Sequence, residues 1–600
     1  SVSNEFRFQL AREDRPRPYG GPQMSSGRPF PDTGMDFAAG YRFGMPFFIP
    51  VEAYDTRIQI LDNISWSSGN HLFKAGVEWN RTEETQTFIG FANGRFIFNG
   101  VDGFLEYLRD PAFVQCMDPD GNIVASGVGV ACPAGSEIGG PLLLYLQFAP
   151  VPPYTTAEQA GTQKIPQHEL AVFLQDTWKP QPNLTVNYGV RWEAQIEPDP
   201  ITPPSEVFYA PFIGQTKAGQ MFASDGTIPS DWTMFQPRLG IAWDLNADGR
   251  KVLRGSAGLY YARVPSLILA STRTSNGSVG QTIFRASFFN EFGVRPPRYD
   301  SLLSTAGVRP DHPGITITDK DFRNPRTFAA SAGYEFEIAE GWAPSITYNY
   351  TRTDFLNRFI NRNDAVFGAP WRTGLPAIAG APAGPADTAN GIDVLTVLES
   401  SAKSRYHGVT AGLKGRVGTR FDLQVNYTLS WDRSDDDNER DPFTFRYARA
   451  DALDAEWGYS DRDQRHRVNA WLLARAPWEL IFNNRISYYS AQPISERCLN
   501  NQPSGQTAAS PAERICANGT VLQRNTLRKD NEFFSWDVRI SRPFKVGTGA
   551  LEAIVEVFNV TNTDNFRDPA PTSLLFNFDG TIRSGLGDPR QVQAGLRWVF

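Results

Sequence analysis

Few residues in this chain are spaced for bond chemistry. The five histidines, His71, His168, His312, His407 and His466, are scattered over almost four hundred positions, and no two sit at metal-ligand spacing. Asp244-Leu245-Asn246-Ala247-Asp248-Gly249 imitates the opening of a calcium loop, but position twelve would be Gly255 where that loop needs a carboxylate. A polar hairpin turn is the better reading. The acidic run Ser434 to Asp441, with arginines nearby, is either a cation site or solvated loop charge. Asp461 to Arg467 packs charges at the start of a strand, where they would line a lumen mouth or pair structurally. A Ser or Cys nucleophile needs a histidine and a carboxylate beside it, and no stretch suggests that arrangement. These observations point away from an enzyme and from a bound cofactor or metal.

The four cysteines form two local pairs, Cys116 with Cys132 and Cys498 with Cys516, in Gly/Pro/Ser/Asn-rich segments without Cys-x-x-Cys spacing. Loop disulfides in an oxidising compartment are the simplest account, with free thiols the alternative.

The elements that carry these residues show a period of two. In Gln591 to Phe600, Val592, Ala594, Leu596, Trp598 and Phe600 share one parity, opposite Gln593, Gly595 and Arg597. Leu184 to Glu193 alternates in the same way, as does Phe421 to Trp431. About ten residues suffice for a tilted strand to cross a bilayer. With 42 Phe, 20 Tyr and 14 Trp, aromatics make up 13% of the chain, while charged residues stand at 20%. A net charge of −7 gives no reason to expect nucleic-acid binding. No run of eighteen apolar residues occurs, so a membrane would have to be crossed by strands closed into a barrel.

The connections alternate in length. Short turns fall at 67–70, 179–183, 246–249, 339–341, 417–419, 476–477 and 546–548. Long ones run over about 13–56, 82–167, 195–234, 264–325, 356–404, 432–463, 492–532 and 560–588. That asymmetry is the rule in outer-membrane barrels, with short periplasmic turns and long extracellular loops. It places the cysteine-bearing loops 82–167 and 492–532 outside the cell and the C-terminus in the periplasm. The stretch from Gly374 to Asp387 reads as a loop tip without aromatic anchors. Trp66, Trp178, Trp243, Trp342, Trp478 and Trp598 fall near short turns or the C-terminus, with Trp192 and Trp431 at the opposite ends, as two aromatic girdles require. The pattern predicts an all-β, antiparallel transmembrane barrel with about sixteen strands. Segments 94–98 and 142–148 would add a further pair, for about eighteen.

These stretches resemble the TonB-dependent outer-membrane receptors, in particular their Oar-like branch. The resemblance is carried by Val172-Phe173-Leu174-Gln175-Asp176-Thr177-Trp178-Lys179, followed by a turn and Asn183 to Glu193. It continues in Pro237 to Asp244, Val252 to Tyr261, His71 to Glu78 and Val557 to Asn562. The terminal residues Leu596, Trp598 and Phe600 resemble the family's signal to the barrel-assembly machinery. Membership would imply a barrel of about 22 strands with a plugged lumen. It would also imply uptake of a scarce ligand powered through a TonB complex. No signal peptide opens the chain, and Ser1 to Leu10 already reads as a strand. The expectation is that a plug, a TonB-contacting segment, a carboxypeptidase-regulatory-like domain and about four to six strands lie outside this sequence. Two other functions fit the same wall: a passive porin-like pore, and a structural or adhesive protein that binds a surface partner through its loops.

Overall fold

The computed structural model describes residues 1–35, 42–49, 51–119, 121–285, 296–303, 313–375, 391–437, 445–508, 510–565 and 589–600. His312, residues 376–387 of the stretch from Gly374 and residues 438–441 of the acidic run lie outside them.

Alternating sequence becomes a single meander of long strands. The wall opens with β1 (Val2–Asp14), β2 (Val51–Ser68), β3 (His71–Phe88) and β4 (Thr162–Gln181). It continues with β5 (Leu184–Ile196), β6 (Asp231–Asp244), β7 (Lys251–Tyr261) and β8 (Arg326–Phe336). Next come β9 (Trp342–Asn361), β10 (Leu395–Val417), β11 (Phe421–Ser434) and β12 (His466–Arg475). The last four are β13 (Ile481–Tyr489), β14 (Phe533–Val546), β15 (Gly549–Phe558) and β16 (Gln591–Val599). Each strand pairs antiparallel with its successor in the chain, from Val2↔Trp66 to Ala550↔Val599. Two short strands, Ile315–Thr318 and Gly458–Tyr459, complete an eighteen-stranded sheet at the loop end. The expected strand count is therefore met, by different members.

The segments near 94–98 and 142–148 do form strands, Arg95–Phe98 and Leu142–Pro150, but outside the wall. They pair with each other in a separate five-stranded sheet. Their alternating faces are buried as protein, with Phe96, Phe98, Leu142 and Tyr145 sealed in a cluster with Tyr107. A period of two reports one covered face. It does not say whether lipid or protein covers it.

Turn chemistry closes the short end. Ser68 pairs with His71 and Val546 with Gly549 across two-residue loops. Gly69 (φ 56°) and Gly547 (φ 60°) fill the first loop position, where a positive φ suits the twist of the flanking strands. At the other end the strands run far past a bilayer's needs: β10 has 23 residues and β4 and β9 have 20 each. About 9–11 residues would span the hydrocarbon. These extensions lie inside what the sequence reads as loops 82–167 and 356–404. Leu395–Leu398, for instance, is a strand segment buried on both faces, so its alternation disappears while its backbone ladder persists.

The two faces of the wall follow parity. Leu174, Val190, Leu239, Ile346 and Val555 are about half exposed, forming the apolar exterior. The opposite parity is mainly polar, with a few aromatic residues such as Phe173 and Tyr260 among its charges. Both sheet edges are bare: nearly every residue of β1 and every residue of β16 is exposed, and their registers run only to β2 and β15 among the described residues.

Candidate ligand-capture site at the barrel mouth

Lumen-facing residues of neighbouring strands join into polar rungs. In one rung the Gln59 amide donates to Glu78 (2.5 Å), and the Arg191 guanidinium bridges Glu78 (2.9 Å) and Glu193. Gln236 donates to Glu193, and Arg238 donates to Gln236 (2.9 Å) while lying over the Tyr260 ring. A hollow of about 410 Å³ lies along this stretch of wall, lined chiefly by Phe173, Gln175, Asn187, Arg191, Gln236 and Arg238. Closer to the mouth, Arg57 donates to Asn80 (2.9 Å), and Asn80 and Arg263 both donate to Glu169 (2.8 and 2.9 Å). The alternation assigns these side chains to one face. Only the register makes them neighbours.

The mouth is roofed by loops that fold inward. The helix Ser266–Thr274 is almost wholly buried, from Ile268 to Thr274. It rests on three glutamines of lumen parity. Gln195 exchanges two hydrogen bonds with the Val264 backbone (2.8 and 2.9 Å), Gln167 donates to the Val264 carbonyl (3.0 Å), and Gln163 donates to the Ala270 carbonyl (3.1 Å). Arg273 on this helix donates to Gln163 (2.7 Å) and to the Asp199 and Lys164 carbonyls. Burial pulls its pKa down to about 10. Beside it burial lifts the Glu197 carboxyl to about 7, and the Gln167 amide at 2.6 Å offsets only part of that. Glu197 Oε1 has no partner among the described residues. Phe212, Phe222, Trp371, Ile360, Ile392 and Val397 form the largest hydrophobic cluster among the described residues, drawn from several loops and from the outer ends of β9 and β10. The barrel thus carries a protein-like core over its mouth.

The described carboxylates of the acidic run, Asp435, Asp436 and Asp437, are spent on internal ion pairs. Arg358 bonds Asp435 and Asp436 (2.9 and 3.2 Å), and Arg524 bonds Asp437 (3.2 Å). Among the described residues no group of carboxylates, histidines and cysteines is arranged to hold a metal. The Asp461-to-Arg467 segment is structural in the same way: Asp463 accepts from Arg528 (2.6 Å) and from the Asp432 backbone (2.8 Å). Burial works against the Asp461 carboxylate, yet the nearby Arg524 charge and the Asn525 amide (2.7 Å) hold its pKa below the usual range. The turn at Asp244 uses its carboxylate to accept the Gly249 backbone N–H (2.7 Å).

All four described histidines share the lipid-facing parity and keep aromatic company. His71 stacks between Phe73 and Trp178 and bonds Asp176 (2.6 Å), His168 faces Trp79, His407 accompanies Tyr348 and Tyr350, and His466 stacks on Tyr427. Of the tryptophans expected in the girdles, Trp66 stacks on Phe73, Trp243 lies near the end of β6, Trp342 opens β9, and Trp478 projects from the β12–β13 turn at 76% exposure. Trp192 donates to the Trp232 carbonyl (2.9 Å), and Trp431 lies under Arg465. Leu596 and Trp598 stand on the exposed β16, with Phe600 beyond it. Cys116–Cys132 and Cys498–Cys516 are disulfides, each tethering a loop away from the wall. Sequence alternation carries no signal for Trp371, Glu197 or Arg273, because they lie outside the strands of the wall.

Residues 2–485 match the family described as "Outer membrane beta barrel domain", and the chain belongs to that family. Its place is accordingly the cell outer membrane. Among solved structures, the outer membrane transporter YddB from Escherichia coli matches all of this chain and 66% of its own, at 10% identity and a TM-score of 0.50. The siderophore receptor PirA from Acinetobacter baumannii matches at 13% identity over 100% of this chain and 60% of its own, with a TM-score of 0.49. At such identities the likeness to the transporter concerns the fold. The chain spans less than two thirds of the length of either protein. No curated protein matches the sequence.

Proposed function

We propose that this member of the outer-membrane β-barrel family forms the wall and outer mouth of a TonB-dependent receptor that takes up a scarce ligand. The observation that carries the reading is the inward-folded helix Ser266–Thr274, seated on the lumen glutamines Gln163, Gln167 and Gln195. A passive pore gains nothing from a roof of this kind. A capture device does, because loops packed over a polar lumen narrow its entrance to a few polar groups that select what enters. The Oar-like resemblance and the polar rungs agree with this reading.

The bare edges of β1 and β16 bear on the remainder of the receptor. Backbone N–H and C=O groups cannot face lipid unpaired. Further strands, with a plug and a TonB-contacting segment, would complete the wall, and Leu596, Trp598 and Phe600 would address β16 to the assembly machinery. The test is ligand-blind. Substrates depleted from the medium by cells carrying the full-length protein are compared with and without TonB. Depletion lost with TonB, while binding of the same compounds to cells persists, supports the reading. Depletion that survives, together with stable open conductance in planar bilayers, would replace it with a passive pore.

A further inference from the structure

The outer face of β9, β10 and β11 carries two adjacent rows of unlike chemistry. Tyr350, His407 and Trp431 stand directly opposite one another across the three strands, with the Tyr350 and His407 ring centroids 4.9 Å apart. This row belongs to the outer aromatic girdle, the level at which amphipathic rings meet lipid headgroups. Two residues further out, about 6.6 Å along the strand, Arg352, Arg405 and Arg433 are again directly opposite one another. All three share the lipid-facing parity of the girdle row.

Like charges paired directly across strands destabilise a sheet. Within the protein the repulsion is relieved only in part. Arg352 has Asp354 (3.1 Å). Arg405 and Arg433 have no carboxylate partner among the described residues, nor has the neighbouring Lys403. They lie instead against ring faces: Lys403 and Arg405 over Trp457 (5.4 and 5.9 Å), and Arg433 over Tyr459 (5.1 Å). Rings position a cation without neutralising it. Arg405 and Arg433 are exposed, facing outward. The barrel therefore holds a preorganised row of cations, one step beyond the girdle row, in which Arg405 and Arg433 have no carboxylate partner among the described residues.

We infer that this row binds the phosphorylated headgroup of an outer-leaflet lipid. Guanidinium groups recognise phosphate oxygens through directed, charge-assisted hydrogen bonds, and clustered cations beside a membrane span select anionic lipid heads. Its position on the exterior, continuous with the lipid-facing girdle, favours a lipid over a ligand bound for the lumen. The inference does not depend on the transport reading.

The test uses the full-length protein in detergent, titrated with bisphosphorylated lipid A and with the same lipid stripped of its phosphates. The wild-type protein should prefer the bisphosphorylated form by tenfold or more, at roughly fivefold per neutralised cation. The double variant Arg405→Gln/Arg433→Gln should lose about thirtyfold in affinity on the same scale. Arg420→Gln, in the turn at the opposite end of β10 and β11, should leave it unchanged. Equal binding of the two lipids by the wild-type protein overturns the inference even if the double variant fails to insert. Full affinity in an inserted double variant overturns it as well. Displacement of the lipid by millimolar inorganic phosphate would reassign the row as a free-anion site and reject the lipid.

Discussion

In the wall, large apolar side chains such as Leu174, Val190 and Leu239 stand about half exposed, whereas in the roof Trp371, Phe212, Phe222 and Ile392 are sealed from solvent. The two regions share one chain and one sheet, yet they are stabilised by different solvents. The wall needs lipid to cover its apolar face and relies on continuous backbone ladders, since a sheet open to hydrocarbon tolerates no unpaired backbone group. The roof stands above the membrane and follows the rules of a water-soluble domain: burial of apolar surface, charges paired when buried, and disulfides across its irregular loops. Arg514 and Glu456, each about 1% exposed and bonded to one another, belong to that second regime. The general lesson is that burial marks the roof here, and exposure of greasy residues marks the functional exterior of the wall.

Substitutions that act on one region alone would sharpen this contrast. The largest expected effect is Trp371→Ala, which leaves a cavity at the centre of the main roof cluster and should cost about 3–5 kcal/mol locally. Hydrogen exchange should accelerate in 207–222 and 313–318 while the heat-modifiable gel mobility of the folded barrel is retained. If the whole barrel melts with the roof, the two are one cooperative unit and the comparison fails. Next is Leu239→Arg on the lipid-facing parity. It should cost about 2–4 kcal/mol if it sits near the bilayer midplane, read as urea-induced unfolding from vesicles. Asn187→Arg, on the lumen parity of the adjacent strand, should be nearly neutral. Equal losses in both would reverse the assignment of faces.

Removing the Cys498–Cys516 link by serine substitution opens a loop with a sequence separation of 18. Chain-entropy arguments give about 3 kcal/mol for a loop of that size. Proteolysis should then cut within 492–532 and leave the wall strands intact. The smallest expected effect is electrostatic. Burial raises the Glu197 pKa to about 7 in the folded roof, against about 4.3 unfolded. The folded state therefore holds a proton that the unfolded state releases. The contribution is complete below the unfolded pKa and declines as pH rises towards about 7, by roughly 2 kcal/mol after discounting for hydration of the mouth. Protection of the helix Ser266–Thr274, taken relative to the intrinsic exchange rate at each pH, should fall between pH 5 and pH 8, and Glu197→Gln should flatten that dependence. A roof that tightens as pH rises would contradict the placement of Glu197.

The wall was almost fully legible in the sequence. All sixteen strands stand where period two and the short turns put them, because each spanning strand has one face in lipid and one in a polar lumen. Legibility fails where that environment ends. Leu395–Leu398 and Arg95–Phe98 are strands in both cases, but the first is covered on both faces and the second is covered by protein. The acidic run at Ser434 announced its charge, but not that Arg358 and Arg524 would come from strands and loops far along the chain to neutralise it.

What the sequence determined by itself is therefore the periodic part: an outer-membrane barrel wall, its two faces and the end at which its long connections emerge. Parity is a local property, set by the strand backbone and the medium on either side. Only the tertiary structure decided which parity-mates become neighbours. The Gln59–Glu78–Arg191–Glu193–Gln236–Arg238 rung, the helix seated on Gln163, Gln167 and Gln195, and the opposed arginines Arg352, Arg405 and Arg433 all depend on register between strands distant in the chain. Register is fixed by the turns and by the packing of every intervening strand, and no local pattern encodes that sum.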